Sequence, residues 1–107
     1  MDVRNDAQGC LQDTHWAGGM IGYFPSYALG SAYGAQMLSK MQEELGDVFA
    51  DVARGDLSRV TGWLKEKIHS HASFKKPGTL FEEVCGKFDA SYYTDYLTAK
   101  YTELYGL

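Results

Sequence analysis

The sequence has no apolar run approaching the ~20 residues needed to cross a bilayer, and its mean hydropathy is −0.32. No membrane partner is expected. The opening Met-Asp-Val-Arg-Asn-Asp is polar and lacks the apolar core of a secretion signal. Cysteine is scarce: Cys10 and Cys85 stand alone and far apart, which excludes a disulfide scaffold and reads as a reduced, cytoplasmic pair. Positive charge is also short. Ten Lys and Arg face fourteen Asp and Glu, for a net charge of −4 and a pI near 5.2. Binding to a nucleic-acid backbone needs a clustered positive surface, so no nucleic-acid partner is expected. No alternation of period two survives anywhere, and there is no internal repeat or low-complexity tract.

What remains is an ordinary globular composition, 45% hydrophobic and 22% charged over 107 residues, enough for one domain and no more. A chain of this size buries roughly two-thirds of its unfolded surface. Two residue types are unevenly spread. Seven of the twelve glycines fall between Gly9 and Gly46, and the eight tyrosines divide between the region before Gly34 and the last sixteen residues. Residues 1–24 keep no sustained period. Glycines interrupt Leu11, Trp16, Met20, Ile21, Tyr23 and Phe24, with at most one helical turn around Leu11–Trp16.

From Pro25 onward the spacing is helical. Leu38, Met41, Leu45, Val48, Phe49 and Val52 recur at intervals of three and four, with Gly46 placed to break or kink the helix. Ala28, Gly30, Ala32, Gly34 and Ala35 make a small-residue face. Each glycine there costs about 1 kcal/mol of helix propensity, which suggests close packing of another backbone. Asp56 suits the cap of a helix with the stripe Leu57, Val60, Trp63, Leu64 and Ile68. Lys75-Lys76-Pro77-Gly78 is a turn signal. Thr79 with Glu82 has capping-box form for a helix running to about Phe88. Asp89 or Ser91 then caps a last helix, whose stripe is Tyr93, Tyr96, Leu97, Tyr101 and Leu104. The expected class is all-α: about four helices, over Leu38–Val52, Leu57–Ile68, Phe81–Phe88 and Tyr93–Leu104, after an irregular glycine-rich segment. A helical part over residues 25–107 follows a segment of residues 1–24.

Few residues offer chemistry. H-E-x-x-H is absent, and Cys10, His15 and Cys85 lack the short spacing that nucleates a structural zinc site. No metal ligand is assigned in this chain, and the chain alone is expected to hold no zinc. Ser26 is not in G-x-S-x-G, and no glycine run leads into Lys-Ser/Thr. His69 and His71 diverge at a helix end, where capping and a solvated loop explain them. His15 differs, because Asp13 can fix its tautomer. A local hydrogen-bonded turn with Trp16 as core explains it equally well, and both readings stay open here. Tyr23 and Tyr27 flank Pro25. A phenol there can donate to a developing oxyanion or be a buried tyrosine with a satisfied hydroxyl.

Gly9-Cys10-Leu11-Gln12-Asp13-Thr14-His15-Trp16 has the form G-x-x-Q-D-x-H-W. With Gly18-Gly19, Gly22-Tyr23-Phe24-Pro25-Ser26-Tyr27-Ala28-Leu29-Gly30, Trp63-Leu64, Ile68-His69-x-His71, Tyr96-Leu97 and Lys100-Tyr101, it resembles the carboxypeptidase Taq family of zinc metallocarboxypeptidases. The resemblance covers essentially all 107 residues. Departures are small: Ala72 stands where the family often has glycine, and Cys85 replaces a usual threonine. Members are chains of about five hundred residues, so the sequence looks like the C-terminal fifth of such an enzyme. The resemblance implies that the H-E-x-x-H helix, the glutamate ligand and the arginine receiving the substrate carboxylate all lie upstream. It implies a parent that removes single residues from peptide C-termini with zinc or another divalent metal. It also implies a nearly all-helical, deeply grooved, zincin-like body that forms homodimers. His15 and Tyr27 are then accessory catalytic residues, and Gln12, Asp13, Trp16 and Tyr23 line the substrate groove. The expected partners are the remainder of the parent, a second copy and a peptide substrate. The alternative is a non-catalytic helical interaction or dimerisation module derived from the family.

Overall fold

The computed structural model describes residues 3–107, and among them there are five α-helices and no strand. The helices are α1 Tyr23–Leu45, α2 Val48–Ala53, α3 Ser58–Lys67, α4 Pro77–Cys85 and α5 Ser91–Tyr105, with short 3₁₀ turns at Asp6–Gln8, Cys10–Gln12 and His69–His71. No helix among them is long and apolar enough to cross a membrane. The backbone divides into two compact units, Met1–Gly30 and Ser31–Leu107.

Local chemistry sets each helix boundary, and it corrects the sequence expectation in several places. The stripe from Leu38 to Val52, expected in one of four helices, is divided between two, and the break falls at Gly46, the residue expected to break or kink it. Gly46 turns the backbone to φ +80°, a conformation glycine adopts at no steric cost. The Asp47 carboxylate then accepts the Ala50 N–H at 3.0 Å and opens α2. The re-aimed α2 leaves Phe49 and Val52 exposed. Second, the capping box at Thr79 does not form. Pro77 occupies the first helical position of α4, where its missing N–H costs nothing. Lys76 before it is extended, the conformation that a following proline ring favours, and Thr79 lies inside the helix. Third, α4 stops at Cys85, before Phe88, because the chain turns at Gly86. The cap positions themselves are Leu57 and Ala90; Asp56 and Asp89 stand one residue earlier and accept the N–H of the first helical residue, from Ser58 at 2.9 Å and from Ser91 at 2.8 Å.

Within Ser31–Leu107 the core is Met41, Val48 and Trp63, with Leu38, Leu45, Val60, Leu64, Ile68, Val84 and Cys85 packed around it. Trp63 donates its indole N–H to the Glu44 carboxylate at 2.8 Å. That bond first, then attraction from Lys67 and Lys40, holds the Glu44 carboxyl below its ordinary value. Asp51 is buried and paired by Arg54 at 2.5 Å and Arg59 at 2.7 Å. Arg59 also donates to the Leu45 carbonyl at the end of α1. The charge is therefore matched on both oxygens, the condition under which burial of an ion is tolerable. Tyr33 of α1 packs against Phe81 and Phe88, ring centroids 4.5 and 4.7 Å away.

The tie between α1 and the α4–α5 connection is Gln36, only 2% exposed. Its Nε2 donates to the carbonyls of Cys85 and Lys87, each at 3.0 Å, and its Oε1 accepts the Asp89 N–H at 2.9 Å. Among the described residues no other backbone packs closely on the glycines of α1. A Cβ added at Gly30 or Gly34 would meet nothing within 4 Å. The stripe expected to bury α5 is only partly covered: Tyr93 and Leu97 are half-buried, and no residue of α5 is fully buried.

Two stability measurements follow. Gln36→Leu removes three hydrogen bonds, each contributing about 1 kcal/mol. We expect a loss of about 3 kcal/mol in urea unfolding; a loss below about 1 kcal/mol would remove the tie. Ala72 sits at φ +45°, ψ −128°, the one non-glycine residue at positive φ among those described. Such strain costs about 1–3 kcal/mol, so Ala72→Gly should raise the thermal midpoint despite glycine's greater freedom in the unfolded chain. A lowered midpoint would show the strain to be absent.

Candidate functional site

The sequence-predicted site residues Asp13, His15, Trp16, Tyr23 and Tyr27 all lie in the unit Met1–Gly30. Residues 14–20 coil tightly: Gly18 N–H reaches Thr14 O at 2.9 Å and Met20 N–H reaches His15 O at 2.8 Å. Gly22, at φ +87°, then turns the chain into α1. Tyr23 and Phe24 thereby stand on the first turn of a helix and face back onto residue 15. Pro25 follows within that turn, where its missing N–H is one of the helix's unpaired donors in any case.

The imidazole of His15 is held on three sides. Its Nδ1 hydrogen-bonds the Asp13 carboxylate. Its ring packs against Tyr23, centroids 4.6 Å apart and tilted 32°, and against Phe24, 4.7 Å and 47°. Trp16 meets Phe24 edge-on at 5.4 Å. With Nδ1 engaged by an acid, the Nε2 edge is the one left for another group. Tyr27, one helical turn beyond Tyr23, donates its hydroxyl to the Tyr23 oxygen at 3.1 Å. That bond, burial and the nearby Asp13 charge raise the Tyr27 phenol above its ordinary value. Tyr27 thus stays protonated at neutral pH with its proton committed to Tyr23. The outward donor of the pair is the Tyr23 hydroxyl.

Gln12 closes the Cys10–Gln12 turn, its N–H on the Gly9 carbonyl at 3.1 Å. Its side chain is exposed and makes no hydrogen bond to the other site residues. Phe24 is the residue that the sequence reading missed as part of the site. Its signal was its place beside Tyr23 at the helix start. Among the described residues, no three His, Cys, Asp or Glu side chains gather where they could hold a metal ion. Asp13 and His15 are two donors turned toward each other, and aromatic rings occupy the neighbouring space. This donor set does not fit a metal.

A profile of the carboxypeptidase Taq (M32) metallopeptidase family matches residues 1–101. The chain belongs to this family. Among curated M32 relatives it is 47% identical over 103 residues to carboxypeptidase 1 of Bacillus subtilis, covering 95% of the chain and 21% of that protein. It is 42% identical over 99 residues to thermostable carboxypeptidase 1 of Thermus thermophilus, covering 92% and 19%. Among solved structures, an M32 carboxypeptidase from Deinococcus radiodurans superposes on the whole chain with a TM-score of 0.90 at 38% identity, using 22% of that structure. A second, BsuCP, gives 0.82 at 45% identity over 97% of the chain and 21% of its own. The chain spans about a fifth of the length of the M32 proteins it matches.

The His15 contact lowers the Asp13 carboxyl below its ordinary value. A carboxyl depressed in the folded state adds stability above the ordinary carboxylate range and loses it as pH falls through the folded value. The M32 signature turn should therefore loosen only below about pH 4. We expect the Trp16 environment, followed by fluorescence in a Trp63→Phe background, to change there, and Asp13→Asn to abolish that transition. A transition that survives Asp13→Asn would place its origin elsewhere.

Proposed function

We propose that this chain is the C-terminal part of a zinc-dependent carboxypeptidase that removes single residues from peptide C-termini. The observation that carries the proposal is the His15 cluster, built on the family signature. Family membership supports a metal in the parent, zinc or another divalent ion. The donors gathered around His15 do not fit one, so its ligands would lie in the parent polypeptide outside these residues, and the chain alone is expected to be inactive. His15 and Tyr27 are the accessory catalytic residues. Gln12, Asp13, Trp16 and Tyr23 border the substrate. The expected setting is cytoplasmic, with the rest of the parent, a second copy and a peptide as partners.

The physical argument concerns charge. Amide hydrolysis builds negative charge on the former carbonyl oxygen, and fixed donors aimed at that position stabilise it. Asp13 keeps a proton on Nδ1 of His15 and orients the ring. Tyr23 and Phe24 restrict its rotation. The Tyr27–Tyr23 hydroxyl pair carries a second donor. A reading as a non-catalytic interaction module is favoured by one observation, the only partly covered aromatic face of α5.

In the full-length parent, removing one such donor should cost roughly a hundred- to thousandfold in turnover, about 2.7–4 kcal/mol. His15→Ala and Tyr27→Phe are expected to do so with metal content intact. Tyr23→Phe removes the outward proton itself, whereas Tyr27→Phe acts by freeing the Tyr23 hydroxyl that Tyr27 holds in place. Unchanged turnover in all three would overturn the proposal. A lowered thermal midpoint with normal turnover would return the residues to packing.

A further inference from the structure

Phe74 is the most exposed large apolar residue among those described, at 94%. It lies in the short link between the His69–His71 turn and α4. Both ends of that link border one cavity of about 270 Å³. Ile68 and Pro77 line it, with Tyr33 and Met37 of α1 and Leu80 and Phe81 of α4. Leu80 and Phe81 are buried, and the Phe81 ring is wedged against Tyr33, centroids 4.5 Å apart, so the α4 wall is fixed. An engineered cavity of about 150 Å³ with aliphatic and aromatic walls takes up benzene. A phenyl ring therefore fits here.

The link is constrained at two points. Ala72, at φ +45° and ψ −128°, leads the chain out of the His69–His71 turn in a conformation that an L side chain rarely adopts. Lys75 pairs with Glu83 of α4 and anchors the far end. Between them Ser73 and Phe74 are exposed, with the Phe74 N–H on the His71 carbonyl at 3.1 Å. Phe74 stands three residues before Pro77, and a chain of that length spans at most about 11 Å. The ring cannot leave the neighbourhood of the cavity.

We propose that this cavity is a site for an aromatic ring, that its resident occupant is Phe74 of this chain, and that the link from Ala72 to Lys75 is a lid that closes over it. The structure holds the open arrangement. Closing removes the phenyl ring from water and lets Ala72 leave its strained conformation. Against this stand one exposed backbone hydrogen bond and the ordering of one side chain. A ring on so short a tether has an effective concentration of about millimolar, so a free aromatic molecule enters the site by displacing Phe74. Neither arrangement depends on the chain's being part of a carboxypeptidase.

The test uses the 107-residue chain in solution. Nuclear Overhauser contacts are expected from the Phe74 ring to the methyl groups of Met37, Ile68 and Leu80. Phe74→Ala should empty the site and bind benzene at least tenfold more tightly than the wild-type chain, with helix content unchanged. Ala72→Gly relieves the open arrangement of its strain, so it should weaken the Phe74 contacts at least twofold. Absence of those contacts in the wild-type chain, or equal benzene affinity in wild type and Phe74→Ala, would overturn the inference. Contacts that isotope filtering assigns to two different molecules would do the same, because the occupant is then a second copy. Unchanged or stronger contacts in Ala72→Gly would remove Ala72 as the hinge and with it the lid. A chain without helical circular dichroism also counts against the site, because α1 and α4 form its walls.

Discussion

One side chain sets the frame of Ser31–Leu107. With no strand to pair backbone groups across long distances, each connection between helices must find partners for its own carbonyls and amides. The connection between α4 and α5 cannot do so locally, because Gly86 ends α4 abruptly and the chain reverses before α5 begins. The Gln36 amide supplies two donors and one acceptor where two carbonyls and one N–H need them. A primary amide is among the few side chains that can do both at once. Glutamate would present no donor to the carbonyls, and leucine would present neither. The position of α5 depends on this contact.

The second buried polar group works the same way on the other side of the unit. Asp51 joins Arg54 of its own helical turn to Arg59 of α3, and Arg59 passes the link to the Leu45 carbonyl at the end of α1. The break at Gly46 would otherwise leave α2 loosely attached, since it is only six residues long. Apolar packing around Met41, Val48 and Trp63 provides the bulk of the attraction. The two polar ties decide which of several packings that attraction takes.

Helical class and family were legible because they rest on patterns that need no tertiary information: the three-to-four spacing of apolar residues and the run from Gly9 to Trp16. The Asp13–His15 pair was legible because two residues so near in sequence meet in a tight turn. Boundaries were less so. Thr79 and Glu82 satisfy a capping pattern, yet Pro77 starts the helix earlier, and a pattern cannot say which of two valid starts wins. The small face of α1 suggests a close-packed neighbour, and the spacing of α5 is that of a packing face. Spacing reports which face is apolar, but what covers that face depends on atoms elsewhere. Phe24 escaped notice because its contact with His15 needs the turn at Gly22, and a lone phenylalanine beside a tyrosine carries no chemical label. The direction of the Tyr27–Tyr23 bond likewise needed geometry.

Every contact that fixes the His15 ring lies between Asp13 and Phe24, and Tyr27 is one turn further on. Closing so short a stretch of chain costs little entropy, and loops of this length meet in well under a microsecond, with a hairpin or helical turn following within microseconds. The cluster therefore does not have to wait for the helices of Ser31–Leu107, nor for a body several times its size, to assemble. During synthesis of a long polypeptide it can take shape as a finished local part.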